Sequence, residues 1–121
     1  MKTILVVDDE QNIRFLYKEE LEEDGYQVSV AATGEEALKM LDKQIPDLIT
    51  LDIKIPEMDG IEVMSKIKDE KRDIPIILCS AYGQYKQGFR IWASDAYVVK
   101  SEDLRELRLT IKEIFNQQKT G

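Results

Sequence analysis

Five times along this chain of 121 residues a short apolar block ends on a polar residue and gives way to a segment of helical period. Thr3 to Val7 is apolar and rich in β-branched residues, as a strand buried on both faces should be. Asp8-Asp9-Glu10 ends it. Ile13, Leu16, Tyr17 and Leu21 then recur at helical spacing up to Asp24-Gly25, a helix stop. Gln27 to Ala31 reads as a second strand. Thr33-Gly34-Glu35-Glu36 is a capping-box pattern, with Ala37, Leu38 and Leu41 on one face beyond it. Leu48 to Leu51 is a third strand, ended by Asp52. Asp59-Gly60-Ile61-Glu62 repeats the capping pattern before Ile61, Met64 and Ile67. Pro75 opens a fourth strand, Ile76 to Cys79, ended by Ser80. Residues 83–94 are less regular and predict a short helix. Ala96 to Val99 is a fifth strand, ended by Lys100, and Ser101 is expected to cap a last helix carrying Leu104, Leu107, Ile111 and Ile114.

Buried strands alternating with amphipathic helices imply an α/β fold: a parallel sheet, doubly wound, with helices on both faces. Right-handed crossovers leave few topologies for (βα)5, and five units favour the flavodoxin-like strand order 2-1-3-4-5. No linker or repeat divides residues 1–121, so one domain is expected. The net charge of -7 argues against a general grip on nucleic acid. One Cys and no His exclude an internal disulfide, a Cys-rich zinc site and any chemistry that needs histidine on this chain. Apolar runs such as Ile4 to Val7 and Ile74 to Cys79 are far short of the ~20 residues that span a bilayer. Met1-Lys2-Thr3 does not read as a signal peptide. A cytoplasmic protein with no membrane partner is expected.

In such a sheet the ligand site lies at the carboxyl ends of the strands, near the switch point between the first and third. Asp8, Asp9, Asp52, Ser80 and Lys100 all end strands, so the fold gathers them on one edge. Three carboxylates in one small site repel, so either their pKa values rise or a cation neutralises them. All-oxygen donors favour Mg²⁺ (or Mn²⁺) over zinc. Lys100 can hold a phosphoryl oxygen and Ser80 is a short hydroxyl donor. Together they suit phosphoryl transfer, which is mostly positioning and electrostatics. One carboxylate can act as nucleophile and form an aspartyl-phosphate. Asp52, single and central, is the best placed for that, and Asp8 and Asp9 for holding the metal.

Each residue has a plainer reading when taken alone. A lone Asp after a strand is more often a helix cap, and Asp9 could cap the first helix as well as bind metal. Asp59 reads as a cap rather than a ligand. Tyr97 is either core or a rotamer switch. Trp92 reads as core and Cys79 as inert packing. The acidic residues Glu19, Glu20 and Glu22 to Asp24 read as a solvated helix end, or as a surface for a basic partner. The coincidence of five compatible residues at the strand ends outweighs the single readings.

From end to end the chain resembles the receiver (response regulatory) domain of two-component response regulators. The likeness rests on Ile4 to Glu10, Pro46 to Gly60, Ser80-Ala81-Tyr82-Gly83 and Ala96 to Lys100. Within the family it is similar to stand-alone regulators of the sporulation phosphorelay type, through Ile13-Arg14, Glu23 to Val28 and the Lys54 and Tyr82 positions. The resemblance implies that Asp52 is the phosphoacceptor and that Asp8 and Asp9 bind Mg²⁺. The carbonyl of Lys54 would complete the metal shell, and Lys100 would pair with the phosphate. Ser80 and Tyr97 would be the switch residues. A sensor histidine kinase or histidine phosphotransfer protein would be the donor, and a downstream protein the target. The family usually carries a cis proline after the lysine, where this chain has Ser101; a non-proline cis bond costs ~3–4 kcal/mol. The segment between Ser80 and Tyr97 is also slightly short for the family and carries Trp92-Ala93-Ser94-Asp95.

The expected function is that of a phosphoacceptor response regulator. It would catalyse its own phosphorylation at Asp52 and a slow dephosphorylation, without being a turnover enzyme in the usual sense. Lys54 and Tyr82 are bulky and would flank an attacking water. The main rival is a pseudo-receiver that binds partners without phosphotransfer. A metal-dependent Asp phosphatase would want a second Asp where Lys54 stands. A flavin-binding protein would want a phosphate loop where Asp8-Asp9-Glu10 stands.

Overall fold

A computed structural model describes residues 1–55, 58–70, 73–80, 94–101 and 103–120. Its elements are β1 (Thr3–Val7), α1 (Gln11–Glu23), β2 (Gln27–Ala31), α2 (Gly34–Lys43), β3 (Leu48–Asp52), α3 (Gly60–Asp69), β4 (Ile76–Ser80), β5 (Ala96–Val99) and α4 (Arg105–Thr120). The strands form one parallel sheet in the order β2-β1-β3-β4-β5, as the sequence predicts. The short helix expected over 83–94, with Trp92, and the Tyr82 position lie outside the described residues.

Residue patterning explains the order. β3 and β4 are buried at every position, as central strands must be when helices cover both faces. β2, at an edge, alternates exposed Gln27 and Ser29 with buried Val28 and half-buried Val30. Two apolar layers sandwich the sheet. Leu5, Val7, Ile49, Leu51, Ile76 and Leu78 face Leu41, Val63 and Ile67 of α2 and α3. Ile4, Val6, Leu48, Ile77 and Val98 face Leu21, Leu107 and Ile111 of α1 and α4. Each fully buried Leu or Ile side chain contributes about 1.5–3 kcal/mol.

Local contacts set the element ends. The Thr33 hydroxyl accepts from the Glu36 N–H at 3.1 Å, and the Glu36 carboxylate reaches back to the Ala32 N–H. Asp59 caps α3 by accepting from the Glu62 N–H at 2.8 Å. Gly25, at φ 95°, turns the chain out of α1. Thr3 and Asp47 lock the starts of β1 and β3: the Asp47 carboxylate accepts from the Thr3 N–H (2.8 Å) and hydroxyl (3.1 Å), and the Asp47 N–H donates to the Thr3 carbonyl at 2.9 Å. At the sheet edge the Lys18 ammonium donates to the Val28 carbonyl at 2.8 Å.

Three expectations are corrected. Asp9 does not cap α1, because the helix starts at Gln11 and Glu10 holds the N-cap position without a side-chain cap. Ser101 does not cap the last helix, which starts only at Arg105. Its hydroxyl accepts from the Asp103 N–H, and Asp103 accepts from the Arg105 N–H, so two short turns precede the helix. The acidic end of α1 is more than a solvated surface: Asp24 and Glu20 accept from the Arg108 guanidinium at 2.8 and 3.1 Å, tying α1 to α4. Among the described residues every peptide bond is trans, including that between Lys100 and Ser101.

Candidate functional site

The carboxyl edge of the sheet collects its polar residues from four strands. Asp8 follows β1, Asp52 ends β3, Ser80 ends β4 and Lys100 follows β5. Asp8 is 2%, Asp52 6% and Ser80 1% exposed, so these polar groups sit in the body of the protein, whereas Asp9 is exposed. Buried charges need partners, and Lys100 supplies one. Its ammonium lies 2.7 Å from Asp8 Oδ2 and 3.3 Å from Asp52 Oδ2. Asp8 Oδ1 accepts from the Glu10 N–H at 2.9 Å, and Asp52 Oδ1 from the Lys54 N–H at 3.3 Å.

Carboxylate oxygens of Asp8, Asp9 and Asp52 lie within 4.8 Å of one another. That spacing and the all-oxygen donor set fit a hard divalent cation such as Mg²⁺. Burial, then the neighbouring Asp8 charge, push the Asp52 carboxyl up to about 6, against the opposing pull of Lys100. Burial pulls the Lys100 ammonium down. Its hydrogen bond to Asp8 and the charges of both aspartates outweigh that, so its affinity for the proton rises. Both answers to carboxylate crowding thus operate: one acid becomes weaker and a lysine neutralises the pair.

Ser80 and Tyr97 sit on neighbouring strands. Ser80 is paired with Val99 and Tyr97 with Leu78, and the Lys100 N–H donates to the Ser80 carbonyl at 2.7 Å. Tyr97 is half-buried against the layer that α2 and α3 cover. The structure therefore brings Asp8, Asp9, Asp52 and Lys100 together, with Ser80 on the adjacent strand end. Cys79 is buried behind the site and its thiol is pushed up to about 12, chiefly by burial, which suits inert packing. Gly60 backs the site from the other side. Its N–H donates to the Ile53 carbonyl at 2.7 Å, and a Cβ there would collide with the Asp52 carbonyl oxygen.

Sequence reasoning missed Arg14, whose guanidinium donates to the Asp8 carbonyl at 2.8 Å. Its only signal is a cation placed one helical turn after the acidic pair. A cavity of about 190 Å³ opens between the start of β1, β2 and the end of α2, lined by Thr3, Gln27, Met40 and Gln44 among others. Lys43 is the sole ionisable group in that lining, and the acidic cluster lies at the opposite, carboxyl edge of the sheet.

Residues 4–112 match the family described as the response regulator receiver domain. The chain belongs to that family. Sporulation initiation phosphotransferase F of Bacillus subtilis is 39% identical over 111 residues, covering 90% of each chain. The alkaline phosphatase synthesis transcriptional regulatory protein PhoP of the same organism is 40% identical over 119 residues, 96% of this chain but 49% of that protein. The receiver chain thus spans about half the length of curated relatives of the PhoP kind. Among solved structures, the response regulator TrrA of Thermotoga maritima in complex with Mg²⁺-BeF is 50% identical with a TM-score of 0.89, covering 93% of this chain and 98% of that one. A structure of histidine kinase ThkA in complex with TrrA is matched at 50% identity and a TM-score of 0.87, covering 93% of this chain and 97% of that one. The receiver fold is what this chain shares with them.

Proposed function

We propose that residues 1–121 form one receiver domain that accepts a phosphoryl group on Asp52 from a phosphohistidine, and that this switches a protein-interaction face. The observation that carries the reading is the cluster of Asp8, Asp9 and Asp52 with Lys100 across it. An Oδ of Asp52 attacks phosphorus, a P–O bond forms as the donor P–N bond breaks, and the electron pair leaves on the imidazole nitrogen. With its carboxyl near 6, Asp52 is mostly ionised at pH 7 and able to attack. Asp8, Asp9, Asp52 and the Lys54 carbonyl would hold Mg²⁺, which would supply neutralisation of the charge on the phosphoryl oxygens. Lys100 then pairs with a phosphoryl oxygen in place of a carboxylate, and the Ser80 hydroxyl donates to another. Movement of Ser80 and Tyr97 toward the new charge biases the face around β5 and α4. Exposed Lys54, beside Asp52, shields the phosphoryl group from water, so a half-life of seconds would count against this reading.

The TrrA–ThkA complex supports a histidine kinase as the donor, and the phosphotransferase F likeness supports a histidine phosphotransfer partner. Among the described residues no helix is long and apolar enough to cross a membrane. With the acidic net charge, that supports a cytoplasmic protein whose output is a protein contact rather than nucleic-acid binding.

Intact mass after incubation with acetyl phosphate and Mg²⁺, beside an Asp52→Asn control, tests the reading. One phosphoryl group added to the wild type alone is expected. No adduct from acetyl phosphate or from a phosphorylated histidine kinase, with the fold intact, would instead identify a binding module without phosphotransfer.

A further inference from the structure

Asp8 is held at every polar group. Its N–H donates to the Ala31 carbonyl at 3.1 Å, its Oδ1 accepts from Glu10, its Oδ2 accepts from Lys100, and its carbonyl accepts from the Arg14 guanidinium at 2.8 Å. Asp9 is the opposite case. It is exposed, and among the described residues its carboxylate has no hydrogen-bond or ion-pair partner. Even so, its carboxylate lies with those of Asp8 and Asp52 in one cluster. What orients it is therefore the backbone that carries it. The peptide joining Asp8 to Asp9 is planar, so fixing the Asp8 carbonyl oxygen fixes that plane and with it the position of the Asp9 Cα from which the side chain starts. Arg14 does this from the first turn of α1, which the Arg14 N–H closes onto the Glu10 carbonyl at 3.1 Å.

We propose that Arg14 is a positioning residue of the divalent-cation site, holding the Asp8–Asp9 peptide so that the Asp9 carboxylate faces the oxygens of Asp8 and Asp52. The proposal rests on reading the acidic cluster as the Mg²⁺ site. Two physical effects of Arg14 have opposite signs. As a cation near the site it repels a divalent ion, so its removal alone would tighten binding. As a clamp on the backbone it organises a ligand, so its removal would weaken binding. Partners that orient metal ligands typically carry 10–100-fold in affinity, whereas a solvent-screened charge carries far less. Weakening should win.

The test is Mg²⁺ titration by calorimetry on the full unphosphorylated chain, with no phosphoryl donor present. Arg14→Met should raise the Mg²⁺ dissociation constant by about 10-fold or more. Arg14→Lys keeps the charge and one donor, and should bind within about threefold of wild type. In an Asp9→Asn background Arg14→Met should have almost no further effect, because the ligand it positions has gone. Thermal unfolding in EDTA checks that each variant folds, and Arg14→Gln replaces Arg14→Met if the latter does not. Unchanged or tighter binding in a folded Arg14 variant overturns the proposal, as does an undiminished Arg14 effect without Asp9. A wild type that binds no Mg²⁺ at millimolar concentration overturns the metal-site reading itself, a separate outcome.

Discussion

Lys100 donates to Asp8 across 2.7 Å, although β3 and β4 lie between the strands that carry them. The lysine extends over the sheet edge, past Asp52, to reach the first strand. Lys100→Met leaves two buried carboxylates without their cation. The metal-free protein should lose about 2 kcal/mol at pH 7, less than the ~3–5 kcal/mol for breaking a fully buried pair, because Asp52 can take up a proton instead. Chemical unfolding in EDTA measures this, and millimolar Mg²⁺ should restore much of the loss. Phosphorylation by acetyl phosphate should slow by about 10²-fold, since a donor aimed at developing charge has been removed.

The Asp52 carboxyl makes the metal-free protein sensitive to pH in a defined direction. It titrates near 6 in the folded chain, and at about 3.9 when unfolded. Between those values the folded chain binds more protons, so stability from this group falls as pH rises from about 4 to about 6 and is level above. Asp52→Asn should unfold at a higher temperature than wild type at pH 7 in EDTA. The difference should shrink through that window and vanish below it. A wild type as stable as Asp52→Asn at pH 7 would show that burial of this acid carries no cost.

Two glycines test how closely α3 backs the site. A Cβ at Gly60 meets the Asp52 carbonyl group, backbone that cannot yield cheaply; a Cβ at Gly34 meets mainly the Val63 side chain. Gly60→Ala should cost about 3 kcal/mol or more and depress phosphorylation, and Gly34→Ala should cost about 1 kcal/mol and leave phosphorylation near wild type. Unfolding curves and intact mass read both. Equal costs would mean that the Asp52 backbone shifts freely.

Asp47 is an acid whose work is structural. Its carboxylate accepts twice from Thr3 at the far end of the sheet from Asp52. Asp47→Ala should lower stability by about 2 kcal/mol, about 1 for each hydrogen bond lost. Well below the melting temperature, phosphoryl uptake should match wild type. A phosphorylation defect in the folded variant would contradict this division between the two ends.

The strands were legible because they are buried on both faces, so runs such as Leu48 to Leu51 carry their own signal. The Thr33 and Asp59 caps were legible because their partners lie three residues away. The acids of the site were legible because strand ends converge in a parallel sheet whatever the details. Ser101 misled because a hydroxyl before an apolar helical face looks like a cap, yet Asp103 and Leu104 add two turns before α4. The grip of Arg108 on Asp24 and that of Arg14 on Asp8 were not legible. A surface cation has many possible partners, and only the packing of α1 selects one.

Lys18 has a consequence for how this chain behaves beside others. The Gln27 N–H donates toward β1, so the alternating backbone groups of Val28 face outward from the last strand of the sheet. An ammonium on the Val28 carbonyl fills the acceptor that a neighbouring chain's amide would need, and sets a desolvation cost on any strand that approaches. At this edge a further strand would have to displace the ammonium before its own amide could pair, so the β2 edge resists strand addition by chemistry.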